Sequence, residues 1–264
     1  MAAGNTEILQ RDSVFNTILV AFVVSLVCSI LVSTSVVLLR PVQVENMLLR
    51  SGYINVLKLV GSIEDTDDYE SLMQRVDTKL VDLATGRYVS GIDAATFNPQ
   101  AAADDPELSV QIPPGLDLAK IERRAKYAAV SLVYENDRIR YIVLPVFGSG
   151  MWSTLYGYIA LVSDANTIAG LKFYEHAETP GIGDKVDKPN WLAGWRGKQV
   201  YDAEGTAQIN IVKGKIVVET RNQVDALTGA TKTGEGVTNL LGYWFGEHGF
   251  KTYLDNFRDQ EGNL

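Results

Sequence analysis

The sequence predicts an α+β protein: one N-terminal transmembrane helix, then a domain with an antiparallel sheet and flanking helices. Three observations predict it. An uncharged run of 26 residues extends from Val14 to Leu39. Short alternating strands separated by turn residues fill the middle of the chain. Helix-period segments lie on either side of them. Successive hairpins with no helix between them argue for antiparallel pairing and against a βαβ array.

The anchor comes first. A bilayer core needs roughly 20 apolar helical residues, and "VFNTILVAFVVSLVCSILVSTSVVLL" supplies them between Arg11-Asp12 and Arg40-Pro41. Signal peptides have apolar regions of about 7–15 residues, and here the run continues beyond Ser33-Thr34-Ser35, so it is read as a retained single span. Residues 1–13 then form one flank, 14–39 the span, 40–125 a helical and loop region, and 126–264 the principal domain. Arg11 precedes the span, whereas Arg40, Arg50 and Lys58 follow it. Long domains cross membranes largely regardless of such charges, so charge leaves the orientation open.

After the span, Val42 to Val60 reads as a helix. Tyr69, Leu72, Met73, Val76, Leu80 and Leu83 recur at helical spacing, which predicts a second helix capped by Asp67/Asp68. Residues 101–114, "AAADDPELSVQIPP", read as a loop, and Leu116 to Arg124 as a short helix. Strands are expected at 129–134 and 139–146 around "END", and at 156–163 and 167–174 around "DAN". A hairpin is expected to pair 208–212 with 215–219 through Lys213-Gly214, and a last helix to run from about Gly236 to Phe245.

Charge and composition exclude several functions. A formal charge of −8 opposes nucleic-acid binding. Setting residues 1–39 aside leaves 23 basic and 30 acidic residues, an acidic body not drawn to anionic headgroups. Two histidines and one cysteine cannot form a self-contained Cys/His metal site or an internal disulfide. Cys28, within the span, reads as a small packing residue. His176, at a strand end, reads as a hydrogen-bonded structural residue.

One stretch carries chemistry: "DALTGATKTGEGV", Asp225 to Val237. Gly229 and Gly234 have the spacing of a nucleotide-triphosphate loop, but Glu235 stands where the lysine belongs and would repel the phosphates. A bland reading makes Thr228, Thr231 and Thr233 helix caps. A loop feeding a helix N-terminus also suits a single phosphate, and Gly229 and Ala230 leave Thr231 unobstructed. The residues permit a threonyl phosphate ester without demanding one.

Asp225-Ala-Leu-Thr228-Gly229-Ala230-Thr231 matches the flavinylation motif D-x-x-[ST]-G-A-T. The chain resembles the C subunit of sodium-translocating NADH:quinone reductases along nearly its whole length. The likeness is carried by "SLVCSILVS", "LPVFGSGMWSTLYGYIALV", "YEHAETPGIGDKV", "WLAGWRGKQV" and "IVKG". It implies a covalent FMN-binding domain at 126–264, with FMN joined to Thr231 by a phosphodiester. A separate Mg-dependent flavin transferase would install it from FAD, with Asp225 serving that enzyme's recognition or metal site. Glu178, Thr179, Gly181 and Ile182 of "ETPGIG", with Gly150, Trp152, Ser153, Lys213 and Thr233, would lie near the flavin. Trp152 as an ordinary core aromatic and "ETPGIG" as a plain turn are the alternatives.

The resemblance further implies an extracytoplasmic domain, in the periplasm, anchored in the bacterial inner membrane. It implies partnership with the A, B, D, E and F subunits, above all B, D and E. Electrons would pass from a membrane iron–sulfur centre to the FMN of the B subunit, during ubiquinone reduction coupled to sodium export. With one span and no dinucleotide fingerprint, the chain alone should neither oxidise NADH nor pump sodium. The rivals are a flavoprotein like the G subunit of the Rnf complex and, in another class, a non-redox anchored interaction protein.

Overall fold

A computed structural model describes residues 14–50, 74–94, 96–212 and 220–261. The chain divides into two compact units, Met1–Arg50 and Ser51–Leu264.

The first unit is the helix α1, Val14–Arg50. Its segment Asn16–Ser35 has a mean hydropathy of 2.5 and is long and apolar enough to cross a membrane. The helix continues through Arg40-Pro41, the boundary of the apolar run, into the segment read as a following helix from Val42. Proline removes one rung of the hydrogen-bond ladder but leaves its neighbours intact. The rest of the helix expected at 42–60, from residue 51 on, lies outside the described residues.

The second unit is organised by a six-stranded sheet, antiparallel throughout, in the order β2 (Arg87–Tyr88), β1 (Val76–Asp82), β5 (Tyr127–Glu135), β6 (Arg138–Ser149), β7 (Thr154–Val162) and β8 (Ile168–Glu175). Strand β1, Val76–Asp82, pairs along its full length with β5, Tyr127–Glu135. This corrects the helix expected through Val76, Leu80 and Leu83. Leu80 and Val81 are consecutive and both buried, at 1% and 0% exposure, as happens in a strand covered on both faces. The spacing of Val76, Leu80 and Leu83 imitated a helix; residues 69–73 of that pattern lie outside the described residues. Asp82 then turns the chain by accepting hydrogen bonds from the amides of Ala84 (2.8 Å) and Thr85 (3.1 Å) into β2, Arg87–Tyr88. Residues before 126 therefore supply two strands of the main sheet, and no structural boundary falls at 126.

The expected loop at 101–114 holds the end of helix α2, Pro99–Asp104, and strand β3, Ser109–Gln111. Asn98 caps α2 by accepting from the amides of Gln100 and Ala101, both at 3.0 Å. The helix expected at 116–124 does not form; strand β4, Arg123–Ala125, pairs with β3 instead. Asp117 accepts from the amides of Ile121 and Glu122, and Lys120 and Glu122 have positive φ. Side-chain acceptance of backbone N–H groups competes here with the helix ladder.

The four central strands match expectation: β5, β6 (Arg138–Ser149), β7 (Thr154–Val162) and β8 (Ile168–Glu175). Asn136 and Asp137, at φ 51° and 60°, close the β5–β6 hairpin with the turn that matches strand twist. A 3₁₀ turn, Gly183–Asp187, and helix α3, Pro189–Ala193, follow. Strand β9, Asn210–Val212, pairs in parallel with β10, Gln223–Asp225. Residues 213–219, including the expected partner strand 215–219, lie outside the described residues.

Helix α4 spans Thr231–Trp244, starting five residues before the sequence suggested. Its Val237, Leu240, Leu241 and Trp244 share the main core with Ile142, Leu144 and Val146 of β6. Contact is close: a Cβ on Gly148 would stand 2.7 Å from the Leu240 Cβ. A further helix that the sequence reading did not anticipate, α5 at Lys251–Glu261, adds Tyr253, Leu254 and Phe257 to this core. The opposite sheet face carries a smaller cluster of Val133, Val143, Ala160 and Ala169.

Candidate functional site

Three connections meet where α4 begins: the β6–β7 turn at 150–153, the loop leaving β8 at 176–183, and the turn from Leu227 into Thr231. Each has a local cause. Gly150 donates to the Ser153 carbonyl at 2.7 Å, closing the first turn. The Thr179 carbonyl accepts from the amides of Ile182, Gly183 and Asp184, curling the second around Gly181 at φ 77°. Ala230 donates to Leu227 at 3.0 Å and Gly229 takes φ 81°, a left-handed conformation suited to glycine, so the third turn leads directly into the helix.

Glu178 binds these pieces together. Only 4% exposed, it accepts at Oε1 from the amides of Met151 (3.0 Å), Trp152 (2.9 Å) and Ser153 (3.3 Å). Its Oε2 accepts from the Thr233 hydroxyl at 2.6 Å. Burial alone would raise its pKa; the Thr233 hydroxyl and the amides of Trp152, Ser153 and Met151 outweigh burial and hold it below the ordinary carboxylate range. The carboxylate thus joins the β6–β7 turn to the first turn of α4. Glycines permit this closeness: a Cβ on Gly150 would stand 2.6 Å from Glu178 Oε1, and one on Gly183 2.8 Å from the Glu178 Cβ. Sequence reasoning placed Gly150 near a bound ring; here it admits the protein's own carboxylate.

His176 braces the same loop from behind. Its Nε2 lies 2.8 Å from Asp187 Oδ2, and its Nδ1 accepts from the Glu178 amide at 3.3 Å. Asp187 also pairs with Lys172 at 3.3 Å. That is a structural role. The Ser153 hydroxyl accepts from the Ala177 amide at 2.7 Å, a further tie between the first two connections.

The threonines separate clearly. Thr233 is 1% exposed and committed to Glu178. Thr228 lies exposed in the turn with Gly229. Thr231 is exposed and is the first residue of α4. No threonine caps the helix: Ala230, 3% exposed, holds the cap position and provides no side-chain hydrogen bond. First-turn amides lack intrahelical partners, and alanine leaves them to solvent or a ligand at a cost of about 1 kcal/mol relative to Ser or Thr. Such a helix start suits a phosphate.

Asp225 ends β10 with an exposed side chain, and its carbonyl accepts from the Trp191 Nε1 at 2.9 Å. Trp152 is 69% exposed, which excludes the core-aromatic reading. Met151 at 50% and Ile182 at 47% are likewise exposed apolar side chains on the first two connections. Thr179 and Gly181 are exposed, and Lys213 lies outside the described residues. Sequence reasoning missed Lys185, whose Nζ donates to the Thr228 carbonyl at 2.5 Å. The two residues are 43 positions apart, so no local spacing could have paired them.

An exposed threonine at an uncapped helix start, an ammonium on the turn that leads into it and exposed apolar side chains are a set that fits a flat aromatic group bearing a phosphate. Comparisons with known proteins agree. Residues 150–245 match the family described as "FMN-binding domain". The chain is 42% identical over 259 residues to the C subunit of the Na(+)-translocating NADH-quinone reductase of Pseudomonas aeruginosa, covering 96% of this chain and 99% of that protein. It is 41% identical to the protein of the same name from Haemophilus ducreyi, covering 96% and 98%. The structure resembles crystalline NqrC of Shewanella oneidensis with a TM-score of 0.72 at 37% identity, covering 77% of this chain and 94% of that one.

Proposed function

The chain belongs to the C-subunit family of Na(+)-translocating NADH-quinone reductases, and from that premise we propose that it carries FMN by a phosphodiester on Thr231 and relays electrons within the complex. It is a subunit of an oxidoreductase assembly and contains an FMN-binding domain. One observation carries the attachment site. Thr231 is an exposed residue at the first position of an uncapped helix, while Thr233 is sealed against Glu178.

Attachment proceeds by transfer from FAD. The Thr231 Oγ1 forms a bond to the flavin-side phosphorus, the pyrophosphate P–O bond breaks, AMP leaves, and the hydroxyl proton passes to the transferase. The first-turn amides of α4 would hold the phosphate, and Asp225 would serve the transferase's recognition or metal site. Bound FMN supplies one- and two-electron chemistry. The chain's own residues position it: Glu178 fixes the turn bearing Trp152 against α4, and Met151, Trp152 and Ile182 present apolar surface to a ring. Thr179, Gly181, Gly150 and Ser153 line the surrounding loops, and Lys213 is a further flavin contact in this reading. The flavin-carrying body takes in the matched residues 150–245 together with the β1 and β2 strands of the same sheet.

In this reading α1 anchors the chain in the lipid of the bacterial inner membrane with the flavin domain in the periplasm. Electrons arrive from a membrane iron–sulfur centre and leave to the FMN of the B subunit, and the assembly with the A, B, D, E and F subunits couples ubiquinone reduction to sodium export. Coexpression of the full chain with a flavin transferase tests the attachment. A fluorescent band and a tryptic peptide bearing flavin phosphate at Thr231 are expected, and Thr231→Val should abolish both. Undiminished labelling of that variant would overturn the assignment.

A further inference from the structure

We propose that Lys185 positions the acceptor turn for flavin transfer and supplies the counter-charge of the phosphodiester that results. The proposal rests on the reading of Thr231 as acceptor. Lys185 projects from the 3₁₀ turn Gly183–Asp187, whose Val186 is fully buried and whose Gly183 amide is tied to the Thr179 carbonyl at 2.9 Å. Its base is therefore held by the core. From that base the ammonium reaches the Thr228 carbonyl at 2.5 Å and lies 3.8 Å from where a Cβ on Gly229 would stand. It touches the turn three residues before Thr231.

Two consequences follow. The bond fixes the turn's peptide at Thr228, just before the left-handed Gly229, and so fixes the direction in which Ala230 and Thr231 enter α4. The charge acts on the phosphate. A lysine has three donors, of which the Thr228 carbonyl takes one here. Lys232, adjacent to Thr231, is already paired with Glu235 at 2.8 Å, whereas Lys185 is bonded to a neutral oxygen. Transfer brings a dianionic pyrophosphate to this turn and leaves a monoanionic diester on Thr231, with the bonds formed and broken as above. An ammonium beside the turn favours both species and masks the negative end of the Thr228 carbonyl dipole.

The test uses the full-length chain, purified unlabelled in detergent, with purified transferase, FAD and Mg²⁺. Lys185→Met should slow the initial rate of in-gel fluorescent labelling about ten-fold, the worth of one charge-assisted hydrogen bond. Lys185→Arg should stay within about three-fold of the parent, since it keeps charge and donor. Lys185→Gln can still donate to the Thr228 carbonyl but lacks the charge, and should label more slowly than the parent and faster than the methionine variant. The melting temperature gained on labelling should also shrink in the Met and Gln variants. Melting of the unlabelled proteins reports folding, and the Arg and Gln variants carry the comparison if the methionine variant does not fold. Labelling of Lys185→Gln at the parental rate would overturn the proposal while leaving Thr231 as acceptor. A parent chain that takes no flavin at all would instead overturn the reading beneath it.

Discussion

Glu178 accepts a 2.6 Å hydrogen bond from Thr233, two residues beyond Thr231 and 55 positions away along the chain. With the three amides it gathers at 151–153, this makes helix α4 and the turn bearing Trp152 a single body. Geometry at the proposed attachment site therefore depends on a carboxylate that is itself 4% exposed.

Removing that carboxylate should destabilise the fold strongly. Glu178→Ala strands one hydroxyl and three amides, and is expected to lower unfolding free energy by about 2–4 kcal/mol. Urea unfolding of the unlabelled chain measures this. Glu178→Gln keeps an acceptor and the volume, and should lose roughly half as much.

Acid should act through the same group. Glu178's pKa is held below its ordinary value, so the unfolded state binds its proton more readily than the folded state does. Its stabilisation is complete above the unfolded value, about 4.3, and is lost as pH falls through the lower folded value. Melting temperatures of the parent and Glu178→Gln should converge as pH drops from about 6 to 3. Asp255, also held low by Lys251 and Arg258 against the opposing effect of its burial, is present in both proteins and cancels in the comparison. A pH-independent gap would contradict the carboxylate's role.

Thr233→Val tests which hydroxyl is structural. It leaves Oε2 of a buried carboxylate without its partner, and should destabilise the chain by about 1–3 kcal/mol. Peptide mass spectrometry after coexpression with the transferase should still find flavin on Thr231.

Gly236→Ala should harm the protein despite alanine's better helix propensity. Its Cβ would stand 2.5 Å from the Ser149 carbonyl and 3.0 Å from the Gly150 Cα, both backbone atoms. Overpacking typically costs about 1–3 kcal/mol, against a propensity gain of about 1. Calorimetry is expected to give a net loss, with faster amide exchange at 150–153.

Trp152→Ala should separate cofactor contact from stability. With 69% of its surface exposed, the side chain contributes little to folding, and the melt should move by no more than about 0.5 kcal/mol. The change should register in flavin fluorescence of the labelled protein, since an indole packed against an isoalloxazine quenches it. An unchanged fluorescence yield would remove Trp152 from the flavin environment.

Several features were legible without coordinates because their causes are local. The apolar run Val14–Leu39, the turns at Asn136-Asp137 and around Ala165, and the four central strands all arise from side-chain periodicity and turn chemistry within a few residues. The small residues of Thr228-Gly229-Ala230-Thr231 likewise announced an unobstructed hydroxyl. Where periodicity was ambiguous, the reading failed. Val76, Leu80 and Leu83 suit a helix face, yet seven residues of β5 were waiting to pair with that segment. The 116–124 helix lost to Asp117, whose carboxylate captured the amides the helix needed.

By itself the sequence determined an apolar helix of spanning length, an antiparallel sheet and a threonine beside Gly229 and Ala230 that permits esterification, since each is written in neighbouring residues. Only tertiary structure decided that Thr233 is sealed against Glu178 while Thr228 and Thr231 stay exposed, that Glu178 braces the site, and that Lys185 reaches the Thr228 turn. These are contacts between residues tens of positions apart, and nothing in local spacing selects such a partner until packing of the core brings the two together.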